Sequence, residues 1–92
     1  MPNITAPKDL SPPQQALDHL HDGGLTMGSD WQLAHAICQT REGERAYDLV
    51  HALCHWIEGD TANASYWYAR VAPWQRAATI GAEWQALKAT LT

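Results

Sequence analysis

Phenylalanine is absent from this chain and basic residues are scarce, with six Lys and Arg against ten Asp and Glu among 92 residues. A net charge of −4 withholds the clustered cations that a nucleic-acid binder sets against phosphate. No stretch approaches the ~18 uninterrupted apolar residues of a membrane span. The first thirty residues lack the basic-then-apolar order of a secretory signal, so a cytoplasmic protein is expected. Cysteine is limited to Cys38 and Cys54, which without an export signal read as reduced thiols rather than a disulfide. Charged residues make up only 17% and hydrophobic residues 46%, which excludes an intrinsically disordered chain. The length supports a single core. Alternating β-branched runs are also missing, which argues against strands. What remains is an all-α domain.

The residues that are present carry unusual polarity. With no Phe, each of the five Trp and three Tyr brings a polar atom that needs a partner when buried. Five His make the charge sensitive to pH near 6, moving from −4 to +1 if all protonate.

Helix signals punctuate the chain. Residues 1–10 are Pro-rich and read as an irregular arm, and 11–92 as one helical domain. Ser11-Pro12 starts the first helix, which reaches Asp22 before Gly23-Gly24. Ser29-Asp30-Trp31-Gln32 has the form of a capping box and opens a second helix that Gly43 closes. A third runs from Glu44 to Glu58 and stops at Gly59. Asp60 caps a fourth, extending to Ala72, and Pro73 opens a fifth that reaches nearly to the C-terminus. The last carries a stripe of Ala77, Ile80, Trp84, Leu87 and Leu91, fit to face the core or, in a homo-oligomer, a second copy. The expected architecture is four or five short helices in antiparallel hairpins, with Leu33, Ile37, Leu49, Leu53, Trp56, Ile57, Trp67 and Trp84 as core.

A sixteen-residue offset aligns residues 31–46 (WQLAHAICQTREGERA) with 47–62 (YDLVHALCHWIEGDTA) at seven identities, against about one expected from ordinary residue frequencies. The pattern suggests two copies of a unit made of one helix and its Gly stop. Each copy sets an aromatic residue, a His, a Cys and a Glu on one face within about 60°: Trp31, His35, Cys38 and Glu42, then Tyr47, His51, Cys54 and Glu58. A plain solvent face rarely repeats Trp, Tyr and Cys in this way, so the stripe reads as covered or lining a cleft. Gly43 lies midway between His35 and His51, so a hairpin turning there brings the two His to one level. The same reckoning leaves Cys38 and Cys54 about 9 Å apart in height, too far for a disulfide.

His51-x-x-x-His55-x-x-Glu58 aligns two imidazoles and a carboxylate on one helix face, a spacing that offers several metal ligands at once. With His35 added, the candidate metal ligands are His35, His51, His55 and Glu58, supported by Asp60. This donor set suits Zn, Fe or Mn better than Ca or Mg. Two other readings stand beside it: structural, hydrogen-bonded histidines, and a metal-free acid–base site in which a carboxylate orients an imidazole or Cys54 serves as nucleophile. Tyr66 and Arg70 share a face and, with Asp60, are candidate ligand-binding residues; a simple Tyr–Arg surface contact is the alternative. No phosphate loop, Gly-x-Ser-x-Gly or His-Glu-x-x-His names a reaction.

Across residues 31–71 the chain resembles a group of short bacterial and fungal proteins without assigned function. They share Trp-x-x-x-His and His-x-x-x-His-x-x-Glu-Gly-Asp-x-x-Asn-Ala-x-Tyr-Trp-Tyr, here Trp31, His35, His51, His55, Glu58 to Asp60, Asn63, Ala64 and Tyr66 to Tyr68. The resemblance implies an all-helical domain and transfers no activity. Gly59-Asp60, Ala64 and Tyr68 are also similar to the turn and second helix of a tetratricopeptide repeat, though Val71 and the early Pro73 depart from it. This implies an αα-hairpin. A helical module that meets a protein partner, or a homo-oligomer joined through the last helix, is therefore the alternative to a ligand- or metal-binding domain.

Overall fold

The computed structural model describes residues 10–91; most of the expected N-terminal arm lies outside them. Five helices follow in order: α1 (Pro12–Asp22), α2 (Ser29–Gln39), α3 (Arg45–Glu58), α4 (Thr61–Arg70) and α5 (Ile80–Thr90). No strand occurs among the described residues, and no helix there is long and apolar enough to cross a membrane.

The helices pack as antiparallel neighbours around α3. On α2 and α3, Trp31 donates its indole N–H to the Cys54 carbonyl at 2.8 Å while His35 meets His51; a step forward on one helix is a step back on the other. The same holds for α3 and α4, where His55 meets Asn63 and His51 meets Trp67. α5 returns along α1, with Trp84 donating to the Leu17 carbonyl at 2.8 Å and Lys88 paired with Asp18 at 2.8 Å. Helices on several sides leave α3 buried around its circumference from Asp48 to His55. This is why Cys54 and His51 are as buried as Leu49 and Leu53. Three Trp indoles find partners for their N–H groups: Trp31 and Trp84 reach carbonyls, and Trp74 reaches a carboxylate.

Several local expectations hold. Ser11 and Gln14 form a reciprocal capping box with Pro at the start of α1. Gly59 is left-handed at φ 87°, and its N–H and that of Asp60 return to the carbonyls of Trp56 and His55. Asp60 then caps α4 by accepting from the Asn63 N–H at 3.1 Å. One short turn thus ends α3 and starts α4, fixing the hairpin without a linker.

Others are corrected. Ser29 is the first helical residue of α2, not its cap; Gly28 holds the cap position at φ 154° with no side-chain bond. α2 stops at Gln39 rather than at Gly43; the Thr40 N–H and hydroxyl both close onto the Ile37 carbonyl, at 3.1 and 2.6 Å, tightening the last turn. α4 ends at Arg70, and Pro73 does not open α5. Residues 72–79 run irregularly instead, since Arg45 donates to the Val71 and Pro73 carbonyls and Thr79 caps α5 through the Ala82 N–H. Glu83, fully buried, locks the segment: its carboxylate accepts from Tyr68 Oη at 2.9 Å, Trp74 Nε1 at 2.8 Å and the Ala77 N–H at 2.9 Å.

The core also differs from expectation at α2. Leu33 is 51% exposed, whereas its sixteen-residue counterpart Leu49 is 1% exposed. α2 lies at the periphery and turns Trp31, Ala34 and Cys38 inward, while α3 is central. Ile37, Trp56, Ile57 and Trp84 are partly buried against a core that also contains Leu17, Leu20 and Leu87. Of the stripe assigned to the last helix, Ala77 precedes α5, and Leu87 packs into this chain's own core.

Candidate metal centre

His35 and His51 bring their Nε2 atoms to 3.1 Å. Both stand eight residues from Gly43, whose φ of 101° belongs to the turn between α2 and α3. His55, one turn beyond His51 on α3, completes a triangle of rings with centroids 4.8 Å from His51 and 5.1 Å from His35. One nitrogen of each of the three lies within 4.8 Å of the others.

Aromatic rings hold the imidazoles in place. Trp31 stacks on His35 at 4.7 Å and Trp67 on His51 at 4.1 Å. Both Trp are anchored: Trp31 by its bond to the Cys54 carbonyl, Trp67 by the Arg70 guanidinium 4.9 Å over its ring. His51 and His55 are buried. Burial, reinforced by the neighbouring His35 and His55, lowers the His51 pKa to about 4, and burial also lowers that of His35. Uncharged imidazoles at neutral pH are the form that binds metals.

Glu58 does not join the three His. Its carboxylate lies 2.8 Å from His55 Nδ1, and with His55 and Asp60 it forms a second, more exposed potential ligand group. The carboxylate therefore accepts the Nδ1 proton and leaves Nε2 as the ligand atom, the arrangement by which carboxylates orient metal-binding imidazoles. The four expected ligands are thus three imidazoles and an orienting carboxylate. Asp60 is occupied as the α4 cap.

A cavity of about 350 Å³ opens beside the cluster, lined by His35, Gln39, Glu42, His51, His55, Asn63, Tyr66 and Trp67. Tyr66 therefore faces it. Arg70 is not among the lining residues; it donates to Tyr66 Oη at 2.9 Å and lies 5.6 Å from the ring centroid, the simple Tyr–Arg contact. Asn63, with its amide nitrogen 3.3 Å from His55 Nε2, and Trp67, as a wall for His51, were not singled out as site residues. Their signal is the Gly43 arithmetic applied to Gly59: His55 and Asn63 stand four residues either side of Gly59, and His51 and Trp67 eight.

Beneath the site, Cys38 and Cys54 are both free and buried. Interaction with the Cys54 thiol, followed by burial, raises the Cys38 pKa well above its ordinary range, so the two thiols are neighbours despite the difference in height along the helix axes. Side chains on a helix lean toward its N-terminus. On antiparallel helices the two leans converge, which axial rise alone overlooks.

The three imidazoles and the orienting carboxylate make a site with the donor chemistry of Zn²⁺, Fe²⁺ or Mn²⁺. No family model, curated protein or solved structure matches the chain.

Proposed function

We propose that this protein is a small helical metal-binding domain in which His35, His51 and His55 hold one divalent transition metal, with Glu58 orienting His55. The observation that carries this reading is the approach of His35 Nε2 and His51 Nε2 to 3.1 Å with His55 beside them. Two imidazole nitrogens on one tetrahedral Zn²⁺, each ~2.0–2.1 Å from the metal, stand roughly 3.3 Å apart. Little movement separates the hydrogen-bonded pair from a ligating one.

One feature opposes binding and sets its scale. His51 Nδ1 is buried without a hydrogen-bond partner, so the neutral ring keeps its proton on Nε2, where it can be donated to His35. Ligation through Nε2 moves that proton to the unpartnered Nδ1, at a cost of about 1–3 kcal/mol. Metal binding must exceed that cost, and three imidazole bonds to the ion replace the single hydrogen bond between His35 and His51.

The test is metal content of tag-free protein by plasma mass spectrometry beside His51→Ala. About one equivalent of transition metal in the wild type, lost in the variant, supports the site. Absence of metal, with added Zn²⁺ leaving the melting temperature unchanged, makes the histidines structural.

A second reading, a helical module that meets a protein partner or a second copy, has in its favour the exposed apolar side chains of Met27, Leu33 and Tyr66, each about half exposed. Sedimentation across a concentration series separates it from a monomeric metal binder.

A further inference from the structure

Resting on the metal-binding reading, we infer that the metal centre is an open one: three His ligands leave a coordination position that faces the cavity and takes water or a small molecule offering a single oxygen or nitrogen donor. Structural zinc sites are closed by four protein ligands, whereas reactive sites keep three and leave one position exchangeable.

Three observations support an open site here. First, the only His, Cys, Asp or Glu side chains that converge as one potential ligand group around His35 and His51, among the described residues, are those two and His55. Glu58 belongs to a separate group on the far edge of the His55 ring, and Asp60 is the α4 cap. No carboxylate or thiol thus belongs to the same ligand group; Glu42 lines the cavity but lies outside that group. Second, all three imidazoles line the same cavity, so an ion seated on them forms part of its wall. Third, beside Trp67 the rest of the lining carries hydrogen-bonding groups: Gln39, Glu42, Asn63 and the Tyr66 side chain surround the same space.

The cavity opens widely to solvent, and its volume of about 350 Å³, at the small end of ligand pockets of roughly 300–1,000 Å³, is of the size that holds a small molecule. Trp67 offers no free ring face, because His51 covers one side and Arg70 lies over the ring as well. Recognition therefore falls to the metal and to the polar lining. Glu42 adds negative charge near the cluster and acts on His35; it opposes multiply charged anions and leaves monodentate or uncharged oxygen donors favoured. Asn63 is the one internal competitor, since its amide already sits 3.3 Å from His55 Nε2.

The experiment is visible spectroscopy of the full chain loaded with Co²⁺, titrated with azide and then with acetate. An open site gives Co²⁺ bands that shift saturably with azide. Gln39→Trp, placed at an exposed lining position, takes up Co²⁺ normally but weakens azide binding by about tenfold or more through steric exclusion. Asn63→Ala retains the azide response if Asn63 is only a neighbour. If the wild type takes up Co²⁺ but its bands ignore azide and acetate, the site is closed and this inference is overturned, while the metal-binding reading survives. Bands that ignore azide in the wild type but respond in Asn63→Ala identify Asn63 as the fourth ligand and likewise overturn it. If Co²⁺ is not taken up at all, the metal-binding reading fails and takes this inference with it.

Discussion

His35 Nε2 and His51 Nε2 meet at 3.1 Å across the α2–α3 hairpin, although sixteen residues separate them in the chain. Gly43 stands midway in sequence, within the turn of residues 40–44 that joins two antiparallel helices and returns the two side chains to one level. The contact joins a partly exposed imidazole to a buried one.

The first consequence concerns pH. In the folded protein the His51 pKa lies at about 4, below the ~6.5 of an unfolded histidine. As pH falls through that interval the unfolded chain takes up a proton that the folded chain refuses. Stability is therefore fully present above pH ~6.5 and is lost progressively toward pH 4. The gap of about 2.5 units sets an upper limit of about 3–4 kcal/mol for this residue. Urea midpoints of chelator-treated protein at pH 8, 6, 5 and 4 measure the decline. The decline should flatten in His51→Leu; an equal slope in the variant would assign it to other groups.

Glu58 and Asp60 are neighbours in sequence with separable roles. Removing the carboxylate charge in Glu58→Gln weakens the hold on the His55 Nδ1 proton and should lower Zn²⁺ affinity by roughly 10–100-fold. Asp60→Ala loses the α4 cap and costs about 1 kcal/mol of stability, with Zn²⁺ affinity little changed. Calorimetric titration alongside urea denaturation reads both quantities. Equal loss of affinity in the two variants would make Asp60 a ligand.

Glu83 is the least replaceable polar side chain of the C-terminal region. Glu83→Ala leaves Tyr68 Oη, Trp74 Nε1 and the Ala77 N–H without their common acceptor, and should destabilise the fold by about 3–5 kcal/mol. Glu83→Gln retains a carbonyl oxygen and should cost less. Denaturation followed by Trp fluorescence gives both values.

Both thiols should resist modification in the native state. Cys38 and Cys54 are at most 1% exposed, and the Cys38 thiol is held well above its ordinary pKa, which suppresses the reactive thiolate. A disulfide-exchange reagent at pH 8 should titrate neither thiol until denaturant is added, then both. Rapid reaction of either in native buffer would contradict this burial.

Much of the site was legible without coordinates. His35, His51 and His55 converge because helical spacing and the Gly43 turn are both local properties of the chain. Glu58's role stayed open between ligand and orienting carboxylate: helical spacing places it on the His face but says nothing about which edge of the His55 ring it reaches. Asn63 and Trp67 were within reach of the same midpoint arithmetic around Gly59. Arg70 and Tyr66 share a face as expected, and they bond to each other there.

Sequence alone determined the all-helical composition, the Ser11 and Asp60 caps, the left-handed stop at Gly59 and the level of the paired histidines. These rest on backbone sterics and on hydrogen bonds within a few residues. Only the tertiary structure decided which faces are buried. Leu33 and Leu49 hold equivalent places in matching segments, yet one faces solvent and the other the core, because α2 is peripheral and α3 is surrounded. The start of α5 was decided the same way: Pro73 permits a helix locally, but Arg45 and Glu83, distant in sequence, satisfy the polar groups of residues 71–77 outside one. Burial and long-range polar partners are properties of the assembled fold, and no local pattern of residues encodes them.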